Sequence, residues 1–130
     1  MGGREVLSDA DLVAFVPAND IDRARKFYGN TLGLHLVEEN PAALVYDAHG
    51  TMLRITPVPD VQPATYTVLG WAVPNVAEAV TQLRDRGVVF QRFHGMDQDD
   101  LGIWEAPGGD LVAWFRDPTG NTLSLTQFRP

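Results

Sequence analysis

Arg54 is the residue whose chemistry and setting combine most sharply in this sequence. It stands in the alternating stretch Thr51-Met-Leu-Arg-Ile-Thr56, where Leu53 and Ile55 fall on one face of a strand and Met52, Arg54 and Thr56 on the other. The apolar face is the one to bury, so Arg54 is left on the face that lines a cleft. A guanidinium held there without a partner costs on the order of several kcal/mol, so it calls for a carboxylate or phosphate, from the protein or from a ligand. Arg116 joins it nearer the rim or pairs with its own neighbours. A second cluster, His94 with Asp97, Asp99 and Asp100, has the imidazole and carboxylates of a metal or acid–base site, and equally the composition of an acidic loop facing water. His35 and His49 are scattered and read as solvated or structural. Phe15, Tyr46 and Trp114 are placed by their strand parity on the cleft face, either to stack on a planar or hydrophobic ligand or to fill the interior.

Other chemistries are excluded by composition. With no cysteine there is no disulfide framework, thiolate metal site or Cys nucleophile, and no Ser-His-Asp spacing, phosphate loop or nucleotide fingerprint occurs. A net charge of −7 repels a phosphate backbone, which argues against nucleic-acid binding. No apolar run approaches the roughly 20 residues that cross a bilayer, so the expectation is a soluble, cytoplasmic protein without a membrane partner.

The elements that must position these residues are written twice. The pattern D-x-x-G-x-x-L-x-[I/L]-T begins at Asp47 and again at Asp117, an offset of 70 residues (117 − 47) at every matched position. The helices repeat as well. Asp20 caps one with Ile21, Ala24, Phe27, Tyr28 and Leu32 at helical spacing before Gly33; Asn75, with Glu78 as a capping-box partner, caps the other with Val76, Ala79, Val80 and Leu83 before Gly87. Strands are expected at 11–17, 34–38, 42–47 and 51–57, then at 67–73, 88–93, 111–117 and 121–128, with a shorter piece at 103–105. Trp71 is assigned to core packing by its parity; Trp104 is a lid or a core residue. The second half carries about 16 extra residues around 92–101, the expected functional loop. The expected fold is α+β: two tandem βαβββ modules forming curved, partly closed mixed sheets with a cleft. One domain spans 1–130, with module 1 at about 11–57, a Pro-rich linker at 58–65 and module 2 at about 66–128.

Asp117-Pro-Thr-Gly suits a type I turn followed by a left-handed Gly, a three-residue hairpin loop that sets Arg116 opposite Thr122 and Trp114 opposite Ser124. The same turn in the earlier copy sets Tyr46 opposite Met52 and Leu44 opposite Arg54. A two-residue loop instead switches every side chain to the other face.

Three groups of residues carry a family resemblance: Asp20-Ile-Asp-Arg-Ala-Arg-Lys-Phe-Tyr28 into Leu32-Gly-Leu34, Val73-Pro-Asn-Val-Ala-Glu-Ala79, and Trp114-Phe-Arg-Asp-Pro-Thr-Gly-Asn121 with Leu123-Ser-Leu125. Over nearly its whole length the chain resembles the vicinal oxygen chelate superfamily of glyoxalase I, bleomycin-resistance proteins and extradiol dioxygenases. That resemblance implies, for metal-dependent members, divalent-metal ligands on the first and last strands of each half. Here those positions are Val13, Val68, Arg54 and Ser124, and a shift of one brings in only Ala14, Leu53, Ile55, Leu69, Leu123 or Leu125. No metal and no other cofactor is therefore expected at the family site. The function implied is metal-free binding of a small molecule, a sequestration role like that of bleomycin-resistance proteins, in a homodimer, with Phe15, Tyr46, Arg54, Trp114 and Ser124 as the ligand-binding residues. The alternatives are a lyase, isomerase or dioxygenase of the same superfamily, using unexpected metal ligands or metal-free chemistry, and a partner-binding module whose cleft is plugged by its own side chains.

Overall fold

A computed structural model describes residues 6–130. Each half begins with a strand and a capped helix. After β1 (Val13–Ala18), Asp20 Oδ1 accepts the Arg23 N–H at 3.1 Å and starts α1 (Ile21–Arg25). This helix widens into a π-helical stretch over Lys26–Thr31, closed by the Leu32 N–H on the Phe27 carbonyl. In the second half β5 (Thr67–Ala72) leads to α2 (Val76–Asp85), whose cap Asn75 accepts from the Glu78 N–H at 3.0 Å. Gln127, on the last strand, accepts the Val76 N–H and so fixes where α2 starts. Among the described residues no helix is long and apolar enough to cross a membrane.

The remaining strands are β2 (His35–Asn40), β3 (Ala43–Ala48), β4 (Thr51–Pro57), β6 (Trp104–Glu105), β7 (Leu111–Arg116) and β8 (Thr122–Gln127). They form two four-stranded mixed sheets with the orders β1-β4-β3-β2 and β5-β8-β7-β6, the same arrangement twice, each with one parallel pair at the edge strand that opens the half. One face of each sheet belongs to a single hydrophobic cluster that includes Val16, Tyr28, Leu53 and Ile55 from the first half and Val76, Val80, Phe115 and Leu123 from the second. Trp71 packs against this cluster, stacked 6.5 Å from Phe115. The opposite face of each sheet carries no helix.

Two sequence expectations need correction. The segment 88–93 is not a strand: it makes one bridge, Phe90 to Phe115, and the edge position is taken by the short β6. The Gln91 N–H still donates to the Trp114 carbonyl at 2.8 Å, and one side chain takes up two further polar groups of the segment. Gln98 accepts the Phe93 N–H at 2.7 Å and donates to the carbonyls of Gln91 and Gly102. The second correction concerns the first hairpin. Ala48 pairs with Thr51, Tyr46 with Leu53, Val45 with Arg54 and Asp47 with Met52, so the loop has two residues. His49 and Gly50 both take positive φ, 51° and 93°, as a type I′ turn requires. The second hairpin has the expected three-residue loop, with Trp114 opposite Ser124 and Arg116 opposite Thr122. The difference lies in Pro118, whose ring forbids positive φ and the ladder N–H; Ala48 has neither restriction and extends its strand by one residue.

The halves are joined through Asp117. Its Oδ1 accepts the N–H groups of Thr119, Gly120 and Asn121, and its Oδ2 accepts the Tyr28 hydroxyl at 2.7 Å and the Asn121 amide at 2.9 Å. Asn121 also donates to the Pro17 carbonyl at 2.8 Å. Burial, and after it the charge of Asp117, raises the Tyr28 hydroxyl far above its ordinary value of 10.0. Removing the carboxylate with Asp117→Ala orphans these donors and is expected to cost about 3 kcal/mol or more, against about 1–2 kcal/mol for Tyr28→Phe. Because the folded chain keeps Tyr28 neutral while the unfolded chain ionises it above about pH 10, folding stability falls as pH rises past that value. Urea denaturation at pH 8 and pH 11 is expected to show a smaller loss in Tyr28→Phe than in the wild type.

Candidate functional site

The helix-free faces of the two sheets hold the residues with unspent chemistry. On the first sheet, parallel pairing sets Phe15 beside Arg54 and Val13 beside Met52. Phe15 is 66% exposed, an unusual state for a large ring in the middle of a strand. Among the described residues Arg54 makes no ion pair, and the one hydrogen bond from its side chain goes to the Met52 thioether, 3.9 Å from Nη1. Toward the end of this face a hollow of about 480 Å³ is lined by Val13, Val37, Val45 and Met52, with Asp11, His35 and Asp47 at its polar margin.

On the second sheet Trp114 and Ser124 are cross-strand partners. The Trp114 indole N–H donates to Thr67 Oγ1 at 3.1 Å, which fixes the ring's orientation. Phe93 meets it edge-on at 5.4 Å and Trp104 lies 6.0 Å away, so the three rings form one aromatic patch. Ser124 is only 6% exposed and sits against Gly70, the residue paired with it on β5.

Of the five residues expected to bind a ligand, the structure brings Phe15 together with Arg54, and Trp114 together with Ser124. Among the described residues no hydrogen bond or ring contact links the two pairs. Tyr46 does not share these faces. The two-residue hairpin turns it to the covered side, where it is 1% exposed, 6.2 Å from the Tyr28 ring, with its hydroxyl 3.4 Å from the Arg25 carbonyl. Burial raises its hydroxyl above the ordinary range. Arg116 is exposed at the end of β7 on the second sheet, whereas Arg54 stands on β4 of the first. Asp99 spends one carboxylate oxygen on the N–H groups of Leu101 and Ile103, which makes it a loop-shaping residue. No group of three or more His, Asp or Glu among the described residues is arranged to hold a metal. Sequence reasoning missed Phe93 and Thr67. The parity of Trp104 against its buried neighbour Ile103 was the available signal for the aromatic patch.

Residues 11–125 match the Glyoxalase/Bleomycin resistance protein/Dioxygenase superfamily, and the chain belongs to that family. No curated protein matches the sequence. Among solved structures, a superfamily member from Sphaerobacter thermophilus superposes with a TM-score of 0.73 at 24% identity, covering 95% of this chain and 100% of its own. An antibiotic binding protein from Streptomyces sp. CB03234 does so with a TM-score of 0.71 at 25% identity, over 95% and 99%. A lactoylglutathione lyase from Agrobacterium tumefaciens gives 0.72 at 18% identity, over 94% and 96%. The doubled βαβββ architecture is thus shared by binding proteins and enzymes, and the fold alone does not choose between them.

The Gly70–Ser124 contact is a testable constraint on this site. A Cβ added at Gly70 would lie 2.8 Å from Ser124 Oγ and 3.5 Å from the Ser124 carbonyl oxygen. Gly70→Ala is expected to cost about 1 kcal/mol or more by overpacking, and the Ser124→Ala background to recover most of it. A double-mutant cycle in urea measures that coupling.

Proposed function

We propose that the chain acts, as one glyoxalase-like domain, to bind and sequester a small molecule on the helix-free faces of its sheets, without a metal at the superfamily's metal positions. The carrying observation is the donor set at those positions: Val13, Val68, Arg54 and Ser124. Two valines offer no lone pair, a guanidinium repels a cation, and one nearly buried hydroxyl is a poor ligand alone. The aromatic patch around Trp114 and the exposed ring of Phe15 supply stacking surface in their place. The likeness to an antibiotic binding protein supports the same reading.

Two electrostatic influences oppose one another in the choice of ligand. The net charge of −7 attracts cations from a distance, whereas Arg54 selects an anionic group at contact. Salt screens the first over about 10 Å, so the contact decides, and the ligand expected is planar or apolar with an acidic group. A homodimer is supported by the edges of the sheets. β1 and β5 are both edge strands with their outer sides unpaired among the described residues, and Leu12, Phe15, Tyr66 and Val68 along them are exposed.

The test is a titration of planar aromatic compounds against tryptophan emission, with protein purified without an immobilised-metal column. Binding is expected to survive chelation and to weaken at least about tenfold in Trp114→Ala for every hit. Arg54→Ala is expected to weaken acidic hits about tenfold and spare neutral ones. Stoichiometric Zn, Ni, Mn or Fe that leaves together with binding on chelation would sink the metal-free reading in favour of a lyase, isomerase or dioxygenase. Sedimentation is expected to show a dimer that Phe15→Asp converts to a monomer.

A further inference from the structure

A crevice on the helix-covered side takes no part in the site above. Trp71, Phe115 and Leu125 of the second sheet form one wall, Ala79 and Leu83 of α2 another, and Leu34, from the chain leaving the π-helical stretch, closes the third, around a volume of about 340 Å³. The wider turn of Lys26–Thr31 delivers this third wall, since it ends with the Leu34 N–H on the Tyr28 carbonyl, six residues back. Such turns recur at functional sites.

Arg86 is the single charged residue among those that line the crevice. It donates from Nη1 to the Thr31 carbonyl at 2.9 Å, which holds its guanidinium over the segment between the π-helical stretch and β2, and it makes no ion pair among the described residues. In a chain with 17 acidic and 10 basic residues, a lone cation at an apolar opening runs against the composition. Its remaining N–H groups suit a carboxylate, whose two oxygens the planar fork matches.

We propose that this crevice is a second binding site, for a small apolar molecule with one carboxylate, whose body lies between Trp71, Leu83 and Leu125 and whose acid group meets Arg86. The site is independent of the function proposed above, and its tryptophan reports separately. In a Trp104→Phe, Trp114→Phe protein only Trp71 remains, and decanoate is the probe, followed by its emission and by calorimetry. Saturable one-to-one binding is expected, unchanged by Arg54→Ala. Arg86→Gln is expected to weaken it at least about tenfold, decanol to bind at least about tenfold more weakly than decanoate, and Ala79→Phe to abolish it, with the urea midpoint of each variant showing that it is folded. The proposal is overturned by an absence of saturable binding, by decanol binding as tightly as decanoate, by undiminished binding in a folded Ala79→Phe protein, or by loss of binding in Arg54→Ala.

Discussion

The buried carboxylate of Asp117 is the interaction on which the two halves depend. A charge at 6% exposure is tolerable only when its lone pairs are filled, and here five hydrogen bonds fill them. Three come from the turn that Asp117 itself begins, so the same group shapes the last hairpin and binds it to Tyr28 of the first half. Asn121 extends the link to the end of β1 through the Pro17 carbonyl. The equivalent Asp47 of the first copy is exposed and caps only the Gly50 N–H. A motif repeated in sequence thus does a local task once and a global one once.

That joint divides the molecule into a side that holds the fold and a side that is free. Tyr28 brings Phe27 with it, and both rings enter the cluster around Phe115 and Tyr46. Six of the eight strands, all but β2 and β6, contribute one parity to this packing and leave the other to the helix-free faces, so stability demands little of Phe15, Arg54 or Trp114. The exposure of Phe15 and the lack of an ion-pair partner at Arg54 are not relieved among the described residues. The Gly70–Ser124 contact is the exception, a point where the open face is itself closely packed.

Much of this was legible before any coordinates. The doubled unit followed from the repeat, and the last hairpin from Pro118, which restricts its own φ and leaves a single good turn. The first hairpin was misread because the repeat was trusted over the residues inside it: Ala48-His49-Gly50 lacks the proline, and a one-residue change in loop length moved Tyr46 from the open face to the core. The segment 88–93 has the pattern of a strand because Val88 and Phe90 are real core contacts; its backbone meets β7 only around Phe90 and Gln91, and Gln98, far from any pattern, takes up part of the rest. Side-chain capture of this kind leaves no periodic trace. The aromatic patch was legible in composition but not in membership, since Phe93, Trp104 and Trp114 come from three separate segments.

Arg54 and Ser124 hold the same place in the two copies, and their difference bears on what each half can contribute. At the first, a long cation extends over the strand with an exposed ring beside it. At the second, a short hydroxyl turns onto the neighbouring strand, and the surface is left to Trp114 and its companions. One half therefore offers a charge with a single exposed ring, and the other a patch of three rings. Both surfaces lie beside an unpaired strand edge. On the binding reading, joining a first half to a second half, within a chain or between two copies, would put the guanidinium and the rings around one guest. The acid-selective effect of Arg54 and the general effect of Trp114 would then be separable, because each would act on a different part of the same molecule.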